Sequence, residues 1–142
     1  EDLAPVRIGV TGSVLNSLIC DGCKIEGRVE NSVLGPGVTV RKGCTVKNSI
    51  IFSGTYIDEN TNLDTMIIDK RVYVGKNSIL GYGDDFSANH EKPDLLSRGI
   101  SVVGKKAILP DGSIVGRNVR IFGGVKLHDG NKFVHSGETI KE

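Results

Sequence analysis

An aliphatic residue opens a six-residue unit eleven times in this chain, at Ile19, Leu34, Val40, Ile51, Ile57, Ile68, Val74, Val103, Leu109, Val115 and Ile121. Four places after each stands Cys23, Val38, Cys44, Thr55, Thr61, Val72, Ser78, Ala107, Ser113, Val119 or Val125, all small or β-branched. Three places after stands Gly or Asn in nine of the eleven, with Arg71 and Lys106 the exceptions. A helix repeats its apolar face every 3.6 residues and a simple strand every 2, so neither explains a period of six. A chain wound in triangular coils does. The aliphatic residue points into the prism, and the small residue also turns inward at a cramped corner. Gly or Asn supplies the φ > 0 conformation that other residues adopt at a cost. Hexapeptide repeats of this kind are the signature of a parallel β-helix.

The coils can be counted. Val14-Leu-Asn-Ser-Leu, Val29-Glu-Asn-Ser-Val, Val46-Lys-Asn-Ser-Ile and Leu63-Asp-Thr-Met-Ile are five-residue sides leading into Ile19, Leu34, Ile51 and Ile68. From Leu34 to Ile51 and on to Ile68 one turn takes 17 residues, whereas Ile25 reaches Val29 in only four. After an interruption at 81–99 the sixes resume at Val103, Leu109, Val115, Ile121, Leu127 and Phe133. The expectation is one all-β domain of about seven coils over residues 8–142, roughly 30 Å long at ~4.8 Å per strand. Residues 1–7 read as a linker. Gly at 19 of 142 fits recurrent corners, and a narrow prism suits a chain with no Trp. Crossovers between parallel strands are normally right-handed. Periodicity leaves the hand open.

The length allows one domain. A net charge of +1 with interleaved signs argues against nucleic acid as a partner. No apolar run approaches the ~20 residues of a membrane span, and no signal peptide opens the chain. Three cysteines suggest a reducing compartment. Cys20-Asp-Gly-Cys23 is formally a C-x-x-C, but it lacks a second pair for zinc and a βαβ context for redox work. Cys23 and Cys44 occupy inward corner positions of the repeat and read as structural. The chain begins Glu-Asp and its one methionine is Met66, which suggests a fragment of something longer.

The interruption Gly81-Tyr-Gly-Asp-Asp-Phe-Ser-Ala-Asn-His-Glu-Lys-Pro-Asp-Leu-Leu-Ser-Arg-Gly99 is polar and reads as a loop thrown out from one corner. Such loops either bind ligands or cover the prism. Asp129–Gly137 degrades the pattern, as a terminal cap would. His90, His128 and His135 raise a zinc reading, but His90 is in the loop and the other two sit in the last coils. His90, with Glu91 and the Asp84-Asp85 pair nearby, could act as general base in acyl transfer, on a trimeric prism. A solvated polar loop is the plainer reading. Lys105, Lys106, Arg117 and Arg120 could form a cationic patch for a phosphate-bearing effector. Asp84, Asp85, His90 and Arg98 join them as effector or interface candidates. No residue is singled out as catalytic or metal-binding.

One stretch is more specific. Gly12 through Val40, with its short second coil Ile25-Glu-Gly-Arg-Val-Glu-Asn-Ser-Val-Leu34, resembles the C-terminal β-helix of the ADP-glucose pyrophosphorylase (glucose-1-phosphate adenylyltransferase) family. So do Ile67-Ile-Asp-Lys, Val74-Gly, the acidic loop before Gly99-Ile-Ser-Val-Val-Gly104, and the opening Ala4-Pro-Val-Arg. The resemblance implies a left-handed β-helix behind a nucleotidyltransferase domain that makes ADP-glucose and pyrophosphate from ATP and glucose 1-phosphate in glycogen or starch synthesis. It implies a cytoplasmic homo- or hetero-oligomer regulated by phosphorylated metabolites, with Mg and ATP held outside this chain. The family's catalytic motifs have no counterpart in residues 1–142. The C-terminal part, Asp111–Glu142, is longer and more regular in its sixes than this family suggests, which admits a non-catalytic paralogue or a related sugar-nucleotide pyrophosphorylase. A free-standing acyltransferase using His90 and a purely structural assembly module remain the alternatives.

Overall fold

The computed structural model describes residues 3–142. Three parallel sheets wrap around one core, and successive strands of the chain fall on successive sheets. Face A holds Arg7–Ile8, Lys24–Ile25, Thr39–Val40, Tyr56–Ile57, Tyr73–Val74 and Ile108–Leu109. Face B runs from Ser13–Leu15 to Phe133–Val134, and face C from Leu18–Ile19 to Thr139–Ile140, each seven strands deep. An isolated bridge from Ile108 to Lys126 carries face A into the seventh coil. The architecture is that of a left-handed parallel β-helix. Its first strand takes in Arg7, so the prism starts one residue inside the expected linker.

The hexad rule holds at the level of torsion angles. All eleven third-step residues have positive φ, including Arg71 at 55° and Lys106 at 64°. The corner dictates the conformation, and a non-Gly residue adopts it at a cost of about 1–3 kcal/mol. All eleven fourth-step residues are buried. Ten of the eleven aliphatic residues are buried too, and the exception, Ile19, lies in the first coil. Phe133 departs from the expectation: it is 49 % exposed, and Val134 takes the inward place. The corner His128–Lys132 is one residue longer than a hexad allows, and one residue of slip in a strand turns a side chain to the opposite face. The last coil is a paired coil and not a frayed cap, since Phe133–Val134 and Thr139–Ile140 both pair with the coil before them.

The short second coil has a steric cause. A Cβ on Gly27 would lie 2.6 Å from the Cys44 carbonyl oxygen and 2.9 Å from that of Arg41, so the chain can cut this corner only with glycine. Between faces B and C the first four coils turn through Asn16, Asn31, Asn48 and Thr65, all at φ between 47° and 59°. Beside them a serine ladder climbs the axis. The Ser32 amide donates to Ser17 Oγ at 3.0 Å, that of Ser49 to Ser32 Oγ at 3.1 Å, and that of Met66 to Ser49 Oγ at 3.1 Å. In the fifth coil this same corner opens, and residues 81–100 pass out and back before Ser101–Val103.

Candidate ligand-binding face

Face A carries a groove of about 360 Å³ at the end of the prism where the chain enters. Register builds it. The pairs Arg7↔Lys24, Lys24↔Thr39, Thr39↔Tyr56 and Tyr56↔Tyr73 put these five outward side chains in one line, a coil apart. The Tyr56 and Tyr73 rings stack at 5.8 Å. Beside them Arg41 is fully engaged: Nε donates to Glu26 at 2.8 Å, Nη1 to the Tyr56 hydroxyl at 2.6 Å and Nη2 to Glu59 at 3.0 Å. Those bonds, from Tyr56 first and then Glu26, raise the guanidinium's affinity for its proton further.

Asp58 closes the network. Burial works against its charge, but the Tyr73 hydroxyl at 2.8 Å and the Glu59 amide at 2.8 Å outweigh it and hold the carboxyl below its ordinary value. The same bond pushes the Tyr73 phenol up to about 12. Burial likewise raises the Cys44 thiol to about 11, and its Sγ donates to the Asp58 carbonyl at 2.8 Å. Cys23 is buried and also raised. These are structural thiols.

With Arg41 matched by two glutamates, the groove's chemistry is set by Arg7 and Lys24, with the Thr39 hydroxyl and the Tyr56 ring beyond. Two cations one strand apart suit a phosphate. None of these residues stood among the candidates read from the sequence. The signal existed in the residue preceding each inward aliphatic, but reading it requires the 17–15–17–17 register of successive coils.

The candidates named from the sequence do not converge on one site. Lys105 and Lys106 are exposed at the corner between faces C and A, while Arg120 lies on face C with its guanidinium 4.4 Å from the Phe122 ring centre. Arg117 sits at the opposite corner and clamps the inserted loop. Its side chain is 13 % exposed, its Nε donates to the Gly83 carbonyl at 3.0 Å, and Nη2 lies 3.7 Å from Asp64. Asp84, Asp85, His90 and Arg98 are all exposed on the loop. The Ser87 hydroxyl and amide hold the Asp85 carboxyl below its ordinary value. The His90 amide donates to the Gly137 carbonyl at 2.8 Å. Among the described residues no three His, Cys, Asp or Glu side chains gather closely enough to hold a metal ion.

The loop is a cover, not a free arm. Asn89, 1 % exposed, donates to the carbonyls of Asn118 and Glu138 and accepts from the amides of Glu91 and Lys92. Buried Asn118 accepts from the Gly99 amide at 2.8 Å and donates to the carbonyls of Phe86 and Ser87.

Residues 6–103 match the family model described as GlmU-like, C-terminal hexapeptide. The chain is 42% identical over 140 residues to a glucose-1-phosphate adenylyltransferase of Acetivibrio thermocellus, covering 93% of this chain and 33% of that protein. It is 42% identical over 142 residues to that of Thermomicrobium roseum, covering 99% of this chain and 33% of the relative. The match falls on the C-terminal part of these relatives. The chain therefore spans about a third of the length of the curated relatives it matches. Among solved structures, the acetyltransferase domain of PglB from Neisseria gonorrhoeae superposes with a TM-score of 0.59 at 15% identity, covering 98% of this chain and 50% of that one. PerB from Caulobacter crescentus, in complex with CoA and GDP-perosamine, gives 0.55 at 17%, covering 99% and 50%. At such identities these likenesses speak for the fold alone.

Proposed function

This chain belongs to the GlmU-like, C-terminal hexapeptide family, and from that premise we propose that it is the regulatory and assembly part of a glucose-1-phosphate adenylyltransferase. The observation that carries the reading is its alignment, over nearly its whole length, with the C-terminal third of such enzymes. In this reading the preceding part converts ATP and glucose 1-phosphate to ADP-glucose and pyrophosphate, in the cytoplasm and with Mg. This chain takes no share in holding those groups.

Face C offers a docking surface for the preceding domain. Leu18, Val33, Ile50, Ile67 and Val102 form one outward apolar line by register. Leu18 is 65 % exposed and Ile50 42 %. At ~4.8 Å per strand the line is about 20 Å long, giving a strip of roughly 300 Å². That falls well short of the ~800 Å² per partner of a stable dimer, but it is on the scale of contacts between domains of one chain. The chain enters beside this strip, where the Gly22 amide donates to the Ala4 carbonyl at 2.5 Å. The preceding domain is accordingly the occupant proposed for face C.

The groove on face A shares that entry corner. A phosphorylated metabolite held by Arg7 and Lys24 would bind at the domain boundary and shift the population of active arrangements through its differential affinity for them. The test is ADP-glucose synthesis by the longer protein with and without such metabolites. Arg7→Ala with Lys24→Ala should abolish the response to effector and leave basal turnover intact. Synthesis of ADP-glucose by residues 1–142 alone would overturn the proposal.

A further inference from the structure

The chain has only seven aromatic residues, three Tyr and four Phe, and three of them, Tyr82, Phe86 and Phe133, gather at the inserted loop. Phe86 packs on Gly99 with the Arg117 guanidinium 5.2 Å from its ring centre and is still 50 % exposed, outside the cleft itself. Tyr82 and Phe133 are 47 % and 49 % exposed, with centroids 6.2 Å apart and planes at 83°. His135 stacks on Phe133 at 4.6 Å. These rings wall a cleft of about 220 Å³ between the loop and the last two coils, which also includes Asp84, Asp85 and Ser136.

The polar groups of the cleft are pre-set and only partly used. Asp85 Oδ1 accepts the Ser87 amide at 3.0 Å and the Ser87 hydroxyl at 2.6 Å, which fixes the carboxylate and leaves Oδ2 available to a ligand. Ser136 Oγ accepts the Arg117 amide at 2.9 Å, so its hydroxyl proton is available to a ligand. The Asn89 and Asn118 bonds hold the loop that carries one wall, and preorganisation of this kind lowers the cost of binding.

Charge selects the ligand. Two carboxylates at the mouth repel phosphates and nucleotides. A compact cation is disfavoured by the Arg117 guanidinium that braces the same loop through Gly83. A neutral polyhydroxylated ring fits both conditions: it has an apolar C–H face to lie on aromatic rings and a rim of hydroxyls to donate to carboxylates. We propose that this cleft binds a neutral sugar ring, with its C–H face on one of the Tyr82 and Phe133 rings and its edge against the other, and its hydroxyls held by Asp84, Asp85 and Ser136.

The test is NMR titration of the 142-residue chain, whose hydrophobic core is continuous within itself. Methyl α-D-glucopyranoside is the single-ring probe and maltotriose represents a segment of polymer. The expected result is saturable shifts at residues 82–85 and 133–136, with a dissociation constant on the order of 1 mM. Tighter binding of maltotriose would assign the cleft to a polymer, and equal binding to a free sugar. Tyr82→Ala should weaken binding about three- to tenfold by loss of stacking. Phe133→Leu, which keeps the apolar bulk of the last coil, should do the same. The proposal falls if neither sugar gives saturable shifts, or if both variants bind as the parent does. It also falls if glucose 1-phosphate binds as tightly as the uncharged glucoside, or if tetramethylammonium gives the stronger effect.

Discussion

The corner between faces B and C is built in two ways along the same prism. In the first four coils it is made by the repeat itself: an Asn or Thr at positive φ turns the chain, and a serine hydroxyl passes a hydrogen bond to the next coil. In the fifth coil it is opened by an insertion, which also braces the same corner of the sixth and seventh coils. Asn89 reaches in from the loop to carbonyls 29 and 49 residues away, and Asn118 reaches out to bind both ends of the loop. The first device is local and distributed, so each rung supports only its neighbours. The second is concentrated, with two side chains satisfying the backbone of a twenty-residue excursion. The inserted device should therefore fail all at once, and the ladder one rung at a time.

Asn89→Ala is the strongest way to break the contrast. It strands buried carbonyls and amides that water cannot readily reach, at about 1–3 kcal/mol each, so a loss of about 3 kcal/mol or more is expected in denaturant unfolding. Hydrogen exchange should show the damage confined to 81–100 and the last two coils. Loss of protection in the first four coils as well would mean that the two devices are coupled.

Ser49→Ala should cost less. It removes one acceptor from the Met66 amide and one donor to the Lys47 carbonyl, worth about 1–3 kcal/mol in a buried setting. Exchange should rise at 64–68 and little elsewhere. A spread into the loop region would blur the distinction between a distributed and a concentrated corner.

Acid should sharpen it, with a smaller effect. Asp58, 7 % exposed, has its carboxyl held below its unfolded value mainly by Tyr73 and Glu59 against the cost of burial. The unfolded state therefore takes up a proton first as pH falls. Its stabilisation is present above the ordinary carboxylate range and is lost as pH drops through the depressed folded value. Since Asp58 lies on the face A network of the early coils, those coils should lose protection ahead of the loop region. Asp58→Asn should remove that part of the pH dependence, as read from urea midpoints at pH 7 and pH 3. An unchanged pH profile would show that Asp58 does not govern it.

How legible each region was follows from the same contrast. Repetition is readable: the eleven aliphatic positions predicted the coil, the small residues predicted the inward corners, and even Arg71 and Lys106 obey the positive φ that their place demands. Single events are not readable. The longer corner at His128–Lys132 put Phe133 out of register, because one extra residue leaves the local pattern intact while reversing the face. Asn118 stood where the repeat wants an Asn for its backbone alone, so its second role as the loop's anchor had no separate signal. Arg117 looked like one cation of a surface patch, and its partner Gly83 is 34 residues away. The groove at Arg7 and Lys24 depends on cross-coil register, which no single hexad contains.

Thr65 is the ladder's own irregularity and gives the finest test. Asn16, Asn31 and Asn48 occupy this corner in the three earlier coils, and only the fourth has a β-branched residue, at φ 59°. The branched Cβ crowds the backbone in that region, whereas Asn is among the residues that tolerate it best. The Thr65 hydroxyl donates to Asp64 at 2.9 Å, but the amide of an Asn at this place could bond the same carboxylate, as Asn48 already does at 3.1 Å. Thr65→Asn should therefore stabilise the chain by about 1 kcal/mol, from relief of local backbone strain. The gain should appear as a higher denaturant midpoint with unchanged slope, since the folded surface is the same. If the substitution destabilises instead, the threonine is held by the opening of the corner one coil above. The boundary between the two devices would then lie at the fourth coil, before the insertion and not at it.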